Sequence, residues 1–196
     1  VTAAINDVEV KKINLTPETF QLQTENIISS FDSNTKLIFL CCPNNPTANG
    51  VKWADLRLIL EKFTGIVAID EAYINFASYK SLIAELPNYP NLVILQTLSK
   101  AWGMAGLRVG MALASAQIIN VFNKIKHPYN INVVSQQLVK EALENIELVN
   151  SFIKEIVEER EKLAASLKEF SFIKKIYPSE ANFLLVKVEE PKKLYE

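Results

Sequence analysis

The chain has 196 residues, 49% hydrophobic and 22% charged, with a net charge of −1. This is ordinary globular composition, enough for one domain or for one and part of another. The near-zero charge excludes the basic footprint of a nucleic-acid or anionic-membrane binder, and no apolar run approaches the about 20 residues that span a bilayer. The start, Val-Thr-Ala-Ala-Ile-Asn-Asp, has no signal-peptide character. The two cysteines, Cys41 and Cys42, are adjacent. Neighbours in a strand point to opposite faces, so no bridge between them is expected, and the reducing cytoplasm suits the chain. The single histidine, His127, has no Cys or His neighbour, so no metal site is expected.

In chain order, Val8 to Ile13 alternates as a strand with one wet face. Thr16-Pro17-Glu18 reads as a helix start running toward Phe31, broken by Asp32-Ser33-Asn34. Lys36 to Leu40 is a continuous apolar strand that must end at Pro43 and Pro46. Trp53, Leu56, Ile59, Leu60 and Phe63 recur at helical spacing, and Gly65 stops that helix. Ile66 to Ile69 is a buried strand closing on Asp70-Glu71-Ala72-Tyr73. A short helix is expected from Ser81 to Leu86, and Leu92 to Leu95 is the next strand.

Leu107 to Ala114 reads as a further strand, antiparallel because Gly103 to Gly106 leaves no room for a crossover helix. Ser115 should cap a helix bearing Ile118, Ile119, Phe122 and Ile125, ended by Pro128. Another helix begins near Asn132 to Ser135. From Ile146 to Phe170 the pattern is one long helix with a solvated face, to which Glu158, Glu159, Arg160 and Glu161 are assigned. Phe172 to Tyr177 and Phe183 to Val188 read as strands, and Pro191 opens a last helix. Strands recurring about every 25–30 residues with helices between them predict an α/β fold, a mostly parallel sheet with flanking helices.

Ligands of such sheets sit beyond the carboxyl ends of the strands. Three chemically loaded stretches fall there: Asn44-Asn45, Asp70 to Tyr73, and Thr97 to Gly110. Lys100, at the mouth of a buried strand and near Arg108, should be partly desolvated, which favours the neutral, nucleophilic amine. Such an amine can form a Schiff base with a carbonyl cofactor. A pyridoxal 5'-phosphate site also needs an anion for the ring nitrogen, a phosphate cradle and groups that fix the ring. Asp70 can be the anion. Thr97, Ser99 and the guanidinium of Arg108 can bind phosphate, with glycines that let backbone approach a ligand. Tyr73 and Asn45 can hydrogen-bond the phenolic oxygen. Alone, each has a plainer explanation: an Asp at a strand end as a cap, Asn44-Asn45-Pro46 as a turn, Tyr73 as a core-edge residue. Their convergence on one sheet edge is what carries the chemistry.

Four segments carry a family resemblance: Pro43-Asn44-Asn45-Pro46-Thr47, Asp70-Glu71-Ala72-Tyr73 with Phe76, Thr97 to Gly110, and Pro178-Ser179-Glu180-Ala181-Asn182-Phe183. By these the chain resembles the fold type I, class I/II aminotransferases, and within them the histidinol-phosphate aminotransferases. Ala48-Asn49-Gly50 departs from the pattern, since many members have Gly directly after the Thr. The resemblance implies Lys100 as Schiff-base lysine and proton carrier and Asp70 as partner of the pyridine nitrogen. It implies Tyr73 and Asn45 on the phenolic oxygen, with Ser99, Arg108 and Thr97 on the phosphate. It implies amino transfer from glutamate to imidazole-acetol phosphate by a homodimer. The large pyridoxal phosphate-binding domain would be residues 1–145, in part, and residues 146–196 the linking helix and the start of a small α+β domain.

The family's N-terminal glycine-containing phosphate loop, ring-stacking aromatic and partner-reaching tyrosine, and its C-terminal substrate arginine, have no counterpart in these residues. The expectation is a central portion of such an enzyme, inactive alone, with the Val8 and Lys36 segments lacking a strand between them. A threonine-phosphate decarboxylase shares these cofactor motifs, and a non-catalytic core domain is the alternative of another class.

Overall fold

The computed structural model describes residues 2–195. Four strands form the main sheet in the order β1-β2-β3-β4: Leu37–Cys41, Ile66–Asp70, Leu92–Thr97 and Gly110–Ala114. β1, β2 and β3 run parallel and β4 runs antiparallel to β3, as the short glycine-rich connection requires. The register aligns Cys41 with Asp70, and Asp70 with Leu95, so the chemistry-bearing loops leave the sheet side by side.

The helices are α1 (Thr2–Ile5), α2 (Thr24–Ser29), α3 (Trp53–Lys62), α4 (Ala116–Ile125), α5 (Val133–Glu144), α6 (Ile146–Leu167) and α7 (Pro191–Tyr195). None of the described helices is long and apolar enough to cross a membrane. β5 (Ile173–Ile176) and β6 (Val186–Val188) make a separate antiparallel pair. The main core lies on one face of the sheet. Val67, Ile69, Leu92 and Ile94 meet Leu56, Ile59, Leu60 and Phe63 from α3 and its end, with Leu22 and Ile27 beside them. Alternation in the strands sends Leu37 and Phe39 to the other face, where both are more than half exposed.

Several elements differ from their sequence pattern. Val8 to Ile13 forms no strand; Val8 and Val10 are exposed, and Lys11 instead reaches the Ser30 carbonyl and the Asp32 carboxylate. A strand needs a hydrogen-bonding neighbour, and among the described residues this segment has none. Thr16-Pro17-Glu18 is a closed turn, and the helix begins only at Thr24. Thr16 Oγ1 accepts from the Gln21 N–H, and Glu18 and Phe20 take left-handed φ values of 62° and 52°, which no helix accommodates. Tertiary contacts hold them there: Phe20 packs on Tyr177, and Glu18 pairs with Lys175 and Lys187.

Residues 82–85 form a 3-10 turn, with Ser81 Oγ accepting from the Ile83 N–H. β4 begins at Gly110 because Ala105–Leu107 is another 3-10 turn and Arg108 is left-handed. β6 begins at Val186, since Phe183 belongs to the loop before it. Ser115 precedes α4, but its buried hydroxyl makes no cap bond, whereas Asn132 caps α5 by accepting from the Ser135 N–H. Arg160 is not on the solvated face: its side chain is 9% exposed.

Candidate active site

The loop after β1 is folded by its own polar groups. Asn44 N–H donates to the Asn49 carbonyl, Ala48 N–H to the Asn44 carbonyl, and Asn44 Nδ2 to Thr47 Oγ1. Asn49 Nδ2 ties the loop to the Phe20 carbonyl. The loop holds Asn45 toward the end of β2, where Asn45 Nδ2 donates to the Tyr73 hydroxyl at 2.9 Å. Accepting there leaves the phenol its own proton to donate.

Tyr73 is 7% exposed and sits in a second cluster with Ala48, Phe76, Ala101 and Ala181. Phe183 meets its ring edge-on at 5.2 Å. Lys100 Nζ lies 5.2 Å from the same ring's centroid, a cation–π approach. The fold thus brings together Asn45, Tyr73 and Lys100 from three separate strand ends. Asp70 closes β2; its Oδ1 accepts from the Ala72 N–H, leaving Oδ2 for another donor.

Thr97 closes β3, and its Oγ1 accepts from the Ser99 N–H. Lys100 begins the turn that follows and is exposed, unlike the partly desolvated amine expected from the sequence. Its position one turn past the strand end accounts for this: the Gly103 N–H donates back to the Lys100 carbonyl, and the turn projects from the sheet. Nη1 of Arg108 donates to the Ala105 carbonyl. A Cβ built on Gly103 or Gly106 meets nothing within 4 Å, so the ground between Lys100 and Arg108 is open, and Gly103 has φ 66°.

Some supporting residues carry little sign of their role in the sequence. Glu71 is 2% exposed and accepts from Ser81 Oγ, the Leu82 N–H and Gln96 Nε2, fixing the chain beyond Tyr73 to β3. Its burial has no local signal. Arg160 had one: Val149, Ile153, Val157 and Arg160 share a helical stripe. Below the Asn45 loop, Cys42 Sγ lies 3.1 Å from the Tyr79 hydroxyl, and both cysteines are free thiols. Burial pushes the Cys42 thiol up from its ordinary value and the Tyr79 phenol far above its own.

Carboxylate, amide, phenol, amine, two hydroxyls and guanidinium therefore stand at one end of one sheet. Their chemistry fits pyridoxal phosphate: the free Asp70 oxygen suits a protonated ring nitrogen, the Asn45–Tyr73 pair a phenolic oxygen, and Ser99, Thr97 and Arg108 a phosphate.

The family described as "Aminotransferase class I and II" matches residues 1–196. A histidinol-phosphate aminotransferase of Flavobacterium johnsoniae is 49% identical over 195 residues, covering 100% of this chain and 56% of that protein. The chain thus spans little more than half the length of the curated relatives it matches. Among solved structures, the histidinol-phosphate aminotransferase from Clostridium acetobutylicum superposes with a TM-score of 0.90 at 26% identity, over 98% of this chain and 60% of that one. The Sinorhizobium meliloti enzyme, solved in complex with pyridoxal-5'-phosphate, gives 0.81 at 22% identity, over 95% of this chain and 51% of that one.

Proposed function

Since the chain belongs to the class I and II aminotransferases, we propose that it forms the cofactor-binding centre of a histidinol-phosphate aminotransferase. The reaction moves an amino group from glutamate to imidazole-acetol phosphate, giving histidinol phosphate and 2-oxoglutarate. The observation that carries the reading is the meeting of Asn45 and Tyr73 at 2.9 Å with Lys100 Nζ 5.2 Å from the tyrosine ring. The 49% identity to a protein of that name supports the choice of substrate.

Pyridoxal phosphate supplies the aldehyde that takes up the amino group and the ring that draws off electrons. This chain's residues do the rest. The Lys100 amine takes the proton from the substrate Cα. The Asp70 carboxylate keeps a ring nitrogen protonated. Tyr73, steadied by the Asn45 amide, donates its proton to a phenolic oxygen. Ser99, Thr97 and Arg108 hold a phosphate by charge-assisted hydrogen bonds. Residues 1–145 form part of the large domain, and residues 146–196 lead into the small one. The enzyme acts as a homodimer in the cytoplasm.

The test uses the full-length protein. Pyridoxal phosphate should raise a visible absorption band, and borohydride should fix the cofactor to the peptide containing Lys100. Histidinol phosphate with 2-oxoglutarate should then yield glutamate. Carbon dioxide release from threonine phosphate without amino transfer would replace the reading with a decarboxylase, and a protein with no band would leave a scaffold.

A further inference from the structure

Arg160 stands apart from the charged run it belongs to. Glu158, Glu159 and Glu161 are exposed, while the Arg160 side chain is 9% exposed. A guanidinium is withdrawn from water at a cost unless its N–H groups are paired. Here they are. Nη1 donates to the Ala181 carbonyl at 2.7 Å, and Nε and Nη2 grip Glu161 Oε1 at 3.0 and 2.8 Å.

The segment so held is built onto the candidate active site. Ala181 is fully buried in the cluster around Tyr73. Phe183 abuts the Tyr73 ring at an interplanar angle of 82°. The Glu180 N–H donates to the carbonyl of Ala48, in the Asn45 loop, at 2.7 Å. The Glu180 carboxylate accepts from the N–H and Oγ of Ser78, just beyond Tyr73, at 2.6 and 2.9 Å. Residues 180–183 therefore touch both loops that present Asn45 and Tyr73, and Arg160 fixes those residues to α6. Lysine has no planar fork to serve a carbonyl and a carboxylate at once.

We infer that Arg160 is a positioning residue: acting through the Ala181 carbonyl, it sets the orientation of the Tyr73 phenol toward Asn45 and Lys100. The inference rests on the reading of Tyr73 as a contact of the cofactor's phenolic oxygen.

The experiment compares full-length Arg160→Met, Arg160→Lys, Tyr73→Phe and the double variant Arg160→Met/Tyr73→Phe. The visible absorption of bound pyridoxal phosphate is titrated with pH. Loss of a donor to the phenolic oxygen raises the midpoint, by about one unit in Tyr73→Phe. Arg160→Met should move it the same way by about half as much, and the double variant no further than Tyr73→Phe alone, because the two act on one group. Arg160→Lys should resemble Arg160→Met. In parallel, the Glu180 and Ser78 amides should exchange about tenfold faster in Arg160→Met, with the amides of β1 to β3 unchanged. A lower melting temperature with an unmoved midpoint overturns the inference, and so does a fully additive double variant. A parent protein without a band refutes the cofactor reading instead. The exchange measurement then decides the clamp alone, and unaltered Glu180 exchange overturns it.

Discussion

The amine proposed to carry the reaction, that of Lys100, is exposed. Its Nζ lies 5.2 Å from the centroid of the buried Tyr73 ring. Because Lys100 is exposed, Lys100→Ala should leave the fold of the full-length protein intact. Turnover should fall by about 10²–10⁴-fold or more, and the borohydride label should vanish. A label retained in that variant would remove Lys100 from its role. Asp70→Asn should still take up cofactor, with turnover down by about 10²–10³-fold, because an amide cannot hold a ring nitrogen protonated. Near-normal turnover would make Asp70 purely structural. Tyr79 and Cys42 contribute a pH dependence of stability. Burial raises both groups in the folded state, so both stay protonated there while the unfolded chain ionises them. Their contribution is complete below the ordinary values of 9.0 and 10.0 and is lost as pH rises beyond them. The urea midpoint should therefore fall above pH 9, and Tyr79→Phe should flatten the fall. Equal slopes in both proteins would contradict this.

Among the elements, α3 and β2 are joined with almost no slack. A Cβ on Gly65 would stand 2.6 Å from both the Lys36 carbonyl and the Phe63 ring. Neither can retreat easily: Lys36 O accepts from the Ile66 N–H at the start of the β1–β2 ladder, and Phe63 is 5% exposed. Gly65→Ala should destabilise the protein by about 1–3 kcal/mol, read from urea unfolding. An unchanged midpoint would mean that the ring yields freely. The long helix α6 works differently. It carries charge outward and an apolar stripe inward, and Ile153 and Val157 pack on the cluster that holds Tyr73. One helix thus joins the end of the main sheet to the loop between β5 and β6.

Across the molecule, much apolar surface has no cover from the described residues. Leu37 and Phe39 on β1, Val121 and Ile125 on α4, and Val133 and Val134 on α5 are each more than half exposed. Monomers seldom expose apolar surface on this scale, and the outer edge of β1 offers unpaired backbone as well. Expressed alone, the 196-residue chain should self-associate with rising concentration in sedimentation velocity and produce no 2-oxoglutarate from glutamate at saturating cofactor. Phe39→Lys should shift the association to higher concentration. A monodisperse monomer, or turnover like that of a complete aminotransferase, would refute this.

The sequence by itself determined what local pattern can encode. Buried strands were legible because buried parallel strands read as continuous apolar runs, as in Ile66 to Ile69 and Leu92 to Leu95. α3 and α6 followed from their periodicity, and the position of Asn45, Asp70 and Lys100 at or beyond the carboxyl ends of strands followed from the alternation of strands with crossovers. Only tertiary structure decided the rest. Val8 to Ile13 has a strand's pattern without a strand's partner. Thr16 to Phe20 has a helix's opening, yet Phe20 and Glu18 are drawn to Tyr177, Lys175 and Lys187, more than 150 residues along the chain. Arg160 reads as one charge among several, and only the carbonyl of Ala181 makes it different. Periodicity records which side of an element is buried. It does not record what lies there, because that depends on residues remote in sequence.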